Sequence, residues 1–129
     1  MNFLHPDKVQ PTLVAAMGHY ERYIHTRWPS AVITIHSDWD AQNTGGHVNE
    51  SQHYTGLACD FDVSNVPLVE AWLALERIPE VRGIGIYPSW RTPGLHADVR
   101  TDLERARWFR DSNSQYQNVD ASFVKLATR

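Results

Sequence analysis

Leu57-Ala-Cys-Asp-Phe-Asp-Val63 and Leu95-His-Ala-Asp-Val-Arg100 are two short runs in which charged and apolar residues largely alternate. Successive side chains of a β-strand point to opposite faces, so each run reads as a strand with one dry and one wet side. Leu57, Cys59, Phe61 and Val63 line the dry face of the first, and Ala58, Asp60 and Asp62 the other. In the second, Leu95, Ala97 and Val99 oppose His96, Asp98 and Arg100. Paired in one sheet, the strands bring His96 and Asp98 toward Asp60 and Asp62. Crowded carboxylates repel unless a cation sits among them. Arg100 supplies part of that charge and a metal ion would supply the rest. His53, on the stretch entering the first strand, reaches the same space.

Outward from these strands, Leu13, Met17, Tyr20, Ile24 and Trp28 recur at steps of three and four, which predicts a helix over 12–28. Pro11 suits its first turn and Pro29 ends it. Ala31–His36 is β-branched and short, a strand. The polar segment 37–51, with Asn43-Thr-Gly-Gly46, reads as a long loop of the kind that carries function or moves. Val66–Ile78 predicts a second helix with Pro67 at its start and Leu68, Val69, Trp72, Leu73 and Leu75 on its apolar side. Gly83–Tyr87 is a further strand, joined to the 95–100 strand through turn residues Pro88, Pro93 and Gly94. A short helix over 103–110, the polar stretch 111–118 and a last helical turn over 120–126 capped by Asp120 complete the expectation. The whole predicts one α+β domain, an antiparallel sheet with flanking helices.

A chain of 129 residues is large enough for one core without staples. Twelve basic against fifteen acidic residues give a net charge of −3, without the basic surface that nucleic-acid binders carry. The apolar runs are too short to span a bilayer, so no membrane partner is expected. Met1-Asn-Phe-Leu-His-Pro-Asp7 has neither the apolar stretch nor the cleavage site of a secretory signal, which predicts synthesis in the cytoplasm without a signal peptide. The single cysteine, Cys59, excludes an internal disulfide and an all-cysteine metal site, and its place on the dry face predicts an inert thiol.

His53, Asp60 and His96 are the candidate metal ligands. Three protein ligands with one open position is the pattern of a catalytic zinc rather than a structural one. The bland alternative stays open on spacing alone: any half-exposed antiparallel strand alternates, and Asp98 with Arg100 can be an ordinary surface pair. His5, His19 and His25, on or before the first helix, read as structural. His47, in the loop near His53, is a lesser candidate for a metal or substrate contact.

Ser51-x-His53-x-x-Gly56-x-Ala58-x-Asp60 resembles the first zinc motif of the M15 metallopeptidases, a family that includes D-alanyl-D-alanine carboxypeptidases and phage endolysins and shares a fold with hedgehog signalling domains. Gly83-Ile-Gly-Ile-Tyr-Pro88, Leu95-His-Ala-Asp-Val-Arg100 and Ala106-Arg-Trp108 are similar to its phage and cell-wall branch, so the likeness runs over about residues 30 to 110. The resemblance implies a hedgehog/DD-peptidase-type domain with Zn2+ on His53, Asp60 and His96, and a peptidoglycan peptide as substrate; with no signal peptide read at the N-terminus, the expected route to the cell wall is the release of a phage or prophage enzyme. Gly56 would turn the chain into the strand and Ala58 keep the cleft floor clear. Gly83 and Gly85 leave a strand face bare, either for an approaching peptide or for tight packing.

Two departures accompany the likeness. Where many relatives keep an acidic base shortly before the last zinc histidine, this chain has Pro93 and Gly94. Asp98 is the leading candidate for the base, with Asp62 behind it; the alternative makes Asp98 a partner that orients a ligand. Where relatives carry a substrate-holding arginine, this chain has His36-Ser-Asp-Trp-Asp40. His36, Asp38 and Arg100 are the candidate substrate contacts, with Arg91 a further source of charge; Arg100 with Arg107-Trp108 can equally be a structural clamp on the last helix. The expected function is a zinc-dependent peptidase, a DD-carboxypeptidase or an endopeptidase, cutting peptidoglycan stem peptides or cross-links. The rival is a non-catalytic, zinc-stabilised module that binds wall peptide or a phage structural partner.

Overall fold

The computed structural model describes residues 1–40, 52–101 and 104–119. The loop residues 41–51, His47 among them, and the expected turn at 120–126 lie outside them. Helix α1 spans Pro11–Arg27, with proline at its first turn and Leu13, Ala16, Met17, Tyr20 and Ile24 buried on one face. Helix α2 spans Leu68–Leu75, shorter than the 66–78 expected because Pro67 takes the N-cap in extended conformation. Tyr20 joins the layers: its hydroxyl donates to the Ala71 carbonyl at 2.8 Å and its ring meets Phe61 edge-on at 5.5 Å. Among the described residues no helix is long and apolar enough to cross a membrane.

Among the described residues six strands form one sheet: β1 Val32–Ser37, β2 Ala58–Ser64, β3 Gly83–Tyr87, β4 Gly94–Asp98, β5 Ala106–Arg110 and β6 Tyr116–Asn118. Their order is β1-β2-β4-β3-β5-β6. Every pairing is antiparallel except β3 with β5. The α+β expectation of an antiparallel sheet with flanking helices holds. Cys59, Phe61, Ile84, Ile86, Leu95, Ala97 and Phe109 join the buried residues of both helices in one core. Cys59 is fully buried there and burial pushes its thiol up, out of the reactive range.

The helix expected over 103–110 is corrected to a strand within the described part. Ala106–Arg110 pairs with β3, from Gly83 opposite Ala106 to Ile86 opposite Phe109. Arg105 sets it in place by donating to the carbonyls of Glu76, Ile78 and Val81 and to the Glu76 carboxylate, while Arg107 holds the same carboxylate from the strand. Strand β6, which the polar stretch 111–118 did not suggest, follows the turn at Asp111, whose carboxylate accepts the amides of Asn113 and Gln115.

The register aligns the chemistry. Asp60 lies opposite His96, His96 opposite Gly85, and Gly85 opposite Trp108, one row across four strands. The next row holds Ala58, Asp98, Gly83 and Ala106.

Candidate metal centre

His53 sits on a short 3-10 helix, Gln52–Thr55, and the chain then turns into β2 at Gly56 with φ of 74°. That left-handed value favours glycine, and a Cβ there would stand 2.2 Å from the Lys8 carbonyl oxygen. The turn delivers His53 beside the β2–β4 pair. His53 Nε2 is 3.3 Å from Asp60 Oδ2, and His96 Nδ1 is 2.9 Å from Asp60 Oδ1. One ligand atom from each of His53, Asp60 and His96 lies within 4.8 Å of the others, and all three residues are buried. The structure thus brings together the three ligands expected from the sequence, as a group able to hold a metal ion.

The far nitrogen of each imidazole tests whether the donors suit a metal. His53 Nδ1 lies 2.8 Å from the Asp38 carbonyl oxygen, which only accepts, so that nitrogen carries a proton. His96 Nε2 lies 2.7 Å from Asp98 Oδ2 and is fixed in the same way. In the neutral rings, the nitrogens facing Asp60 are then lone pairs. Two imidazole lone pairs converging on a carboxylate form a Lewis-base set that needs a cation, and an acceptor behind each ring is the usual support of metal-bound histidine. The donor set fits a metal ion.

Without metal, a proton takes the cation's place. Burial alone would push the His96 imidazolium down, but its hydrogen bonds to Asp60 and Asp98 prevail and raise its pKa from 6.5 to about 9. Burial pushes the Asp60 carboxyl up, and the adjoining His53 and His96 rings overcome it, holding it well below the carboxylate range. Asp98 behaves alike, with Arg100 and His96 outweighing burial.

Asp98 is fully buried. Arg100 grips it in fork geometry, Nε to Oδ1 and Nη2 to Oδ2, both at 2.7 Å, and the Arg100 amide adds a bond at 3.2 Å. The Arg100 guanidinium lies 5.4 Å from the Trp108 ring centroid, while Arg107 turns away to Glu76, and the helix that the clamp was expected to hold is strand β5. Gly83 and Gly85 serve tight packing. A Cβ at Gly83 would come 2.1 Å from Asp98 Oδ2, and one at Gly85 2.7 Å from Trp108 Nε1. Gly83→Ala is therefore expected to displace the Asp98 carboxylate and destabilise the fold by about 2–3 kcal/mol, readable as a lower urea midpoint.

Asp38 requires a correction. Expected at the substrate, its carboxylate is fully buried and accepts from the Leu4, His5 and Trp39 amides and lies 2.7 Å from His5 Nδ1. Burial pushes this carboxyl up, yet the bonds from His5, Trp39 and Leu4 hold it below its ordinary range. His36 stays at the exposed margin, hydrogen-bonded through Nε2 to Asp62. Arg91 is exposed.

Tyr87 and Trp108 stand beside the centre. Trp108 tilts against His96 at 5.0 Å between ring centroids and donates from Nε1 to the Tyr87 hydroxyl at 3.2 Å. Tyr87 stacks on Trp90 at 4.0 Å. Burial, and then the Asp60 charge, push its phenol above the usual range, so it stays protonated. The sequence signal for Tyr87 was its place beside the motifs, and it shares a strand face with Gly83 and Gly85.

Neither a protein-family model nor a curated protein matches this chain.

Proposed function

We propose that the protein is a zinc-dependent peptidase of M15 type, acting on the peptides of peptidoglycan. One observation carries the reading: a buried His53–Asp60–His96 donor set in which each imidazole is held from behind by an acceptor. When bound, zinc supplies Lewis acidity, polarising the scissile carbonyl and making water acidic enough to attack near neutral pH. His53, Asp60 and His96 hold the ion, and the Asp38 carbonyl and Asp98 fix the two rings. The geometry favours this positioning role for Asp98 over that of base, because its oxygens face Arg100 and the far side of His96.

Asp62 takes the part of proton acceptor in this reading. It lies two residues beyond Asp60 on the same face, with a side chain 14% exposed and His36 as its hydrogen-bond partner. His36, hydrogen-bonded to Asp62, hands that proton on to the leaving amine. Tyr87 accepts from Trp108, which leaves its own hydroxyl proton for the oxyanion. Zinc, the peptide substrate and the cell wall as place of action belong to this proposal.

The commitment of Asp98 to Arg100, with Pro93 and Gly94 preceding β4's histidine, favours a second reading, a metal-stabilised module that binds wall peptide without cutting it. Digestion of purified peptidoglycan, followed by mass spectrometry of the soluble fragments, separates the two. Zinc-loaded protein is expected to release new peptide ends, and His53→Ala none. Stoichiometric zinc with no new ends would establish the binding module instead, and protein that takes up no metal would end both readings.

A further inference from the structure

We propose that Arg110 receives the free C-terminal carboxylate of the substrate peptide, so that the bond next to the chain end is the one laid on the metal centre. The inference rests on the peptidase reading above and narrows it to a carboxypeptidase.

An anionic chain end needs a cation that the fold has not already used. Arg100 is held by Asp98 in a two-point grip, and Arg105 and Arg107 are held by Glu76. Arg110 differs from them. Its Nε is buried without a hydrogen-bond partner, and its guanidinium rests over the Tyr116 ring at 5.9 Å. A guanidinium offers five donors in a planar fork suited to a carboxylate. Burying one of them without an acceptor is unfavourable, and an arriving carboxylate supplies that acceptor.

The position matches the chemistry. Arg110 lies two residues beyond Trp108 on β5, and strand alternation puts both on the face that carries Asp60 and His96. Neighbouring strands stand about 4.8 Å apart and rise about 3.3 Å per residue, so the Arg110 backbone lies roughly 12 Å from that of His96. An extended arginine side chain covers about half of that distance, leaving a gap for one or two peptide residues of about 3.5 Å each. Tyr87 stands between the two ends: its hydroxyl accepts from Trp108, which tilts against His96, and its phenol, raised above all by burial and then by the Asp60 charge, is opposed by the Arg110 charge. The metal, the Tyr87 hydroxyl and Arg110 thus form a track for a scissile carbonyl followed by a short, negatively charged end.

The test compares an acyl-D-alanyl-D-alanine peptide with its C-terminal amide, on zinc-loaded wild-type protein, Arg110→Ala and Arg110→Lys. Both binding, by calorimetry, and cleavage are read. The wild type is expected to bind the acid roughly ten- to hundredfold more tightly than the amide, the size of a hydrogen bond to a charged group. Arg110→Ala should erase that preference by weakening the acid alone, and Arg110→Lys should restore part of it. Equal affinity of the wild type for acid and amide, binding of neither, or a preference that survives unchanged in Arg110→Ala would overturn the proposal. The wild-type comparison stands even if a variant fails to fold. Selective binding of the acid without cleavage would retain Arg110 as the carboxylate receptor while removing the peptidase reading.

Discussion

Asp98→Asn is expected to lower zinc affinity by about 10- to 100-fold and to destabilise the metal-free fold by about 3 kcal/mol. The two effects have different sources. Zinc affinity falls because the asparagine amide is a poorer acceptor for His96 Nε2–H than the carboxylate now 2.7 Å away, and the ring loses the partner that fixes its tautomer and tilt. Stability falls because Arg100 loses a two-point ionic partner in a place where only about a fifth of its side chain reaches solvent, and because the His96 imidazolium keeps one carboxylate instead of two. Competition against a chromophoric chelator measures the first effect, and urea denaturation in the presence of chelator the second. The same variant also distinguishes the roles of Asp98. Unchanged zinc affinity with collapsed turnover would make Asp98 the base. Weakened zinc with a turnover number that recovers at saturating metal identifies a positioning residue.

Metal and pH are expected to act on the protein in opposite directions. At a free zinc concentration a hundred times Kd, the folded state gains about 2.7 kcal/mol, which for a chain of this length raises the melting midpoint by about 10 °C. His96→Ala should abolish the shift. In the metal-free protein, the folded pKa of His96 is about 9 against the ordinary 6.5. A pKa raised on folding contributes stability that is present in full below the unfolded value and is lost as pH rises through the folded one. The metal-free midpoint should therefore fall between about pH 6.5 and 9. Zinc needs the nitrogen that this proton occupies, so its affinity should rise over the same interval, with about one proton released per ion. Melting curves across that interval, with chelator and with zinc, should diverge as pH rises. A zinc-dependent increment that shrinks toward alkaline pH would contradict the assignment of His96.

The site was more legible in the sequence than the sheet that carries it. Strand parity put Asp60, His96 and Asp98 on one face because β2 and β4 each bury a continuous apolar side, and the register that sets Asp60 opposite His96 follows from matching those sides. Gly56 announced a turn, and its positive φ is that turn. Ala106–Arg110 misled because its type is decided by a distant partner. Only pairing with β3, across an intervening hairpin, makes it a strand, although its alternation of Trp108 with Phe109 and its aromatic content were local signs of one. Asp38 misled for a related reason. A lone aspartate in a polar stretch gives no hint that residues more than thirty positions earlier will supply its donors.

Asp38 also links two regions that neither helix nor strand connects. Its carboxylate gathers Leu4 and His5, while its carbonyl oxygen steers His53. Thermodynamic coupling is reciprocal: if docking of the opening segment improves the aim of a metal ligand by some factor, metal on that ligand strengthens the docking by the same factor. Fraying near residue 4 and loss of the ion are then one equilibrium seen from two ends, and an irregular stretch of chain becomes a gauge of whether the centre is filled.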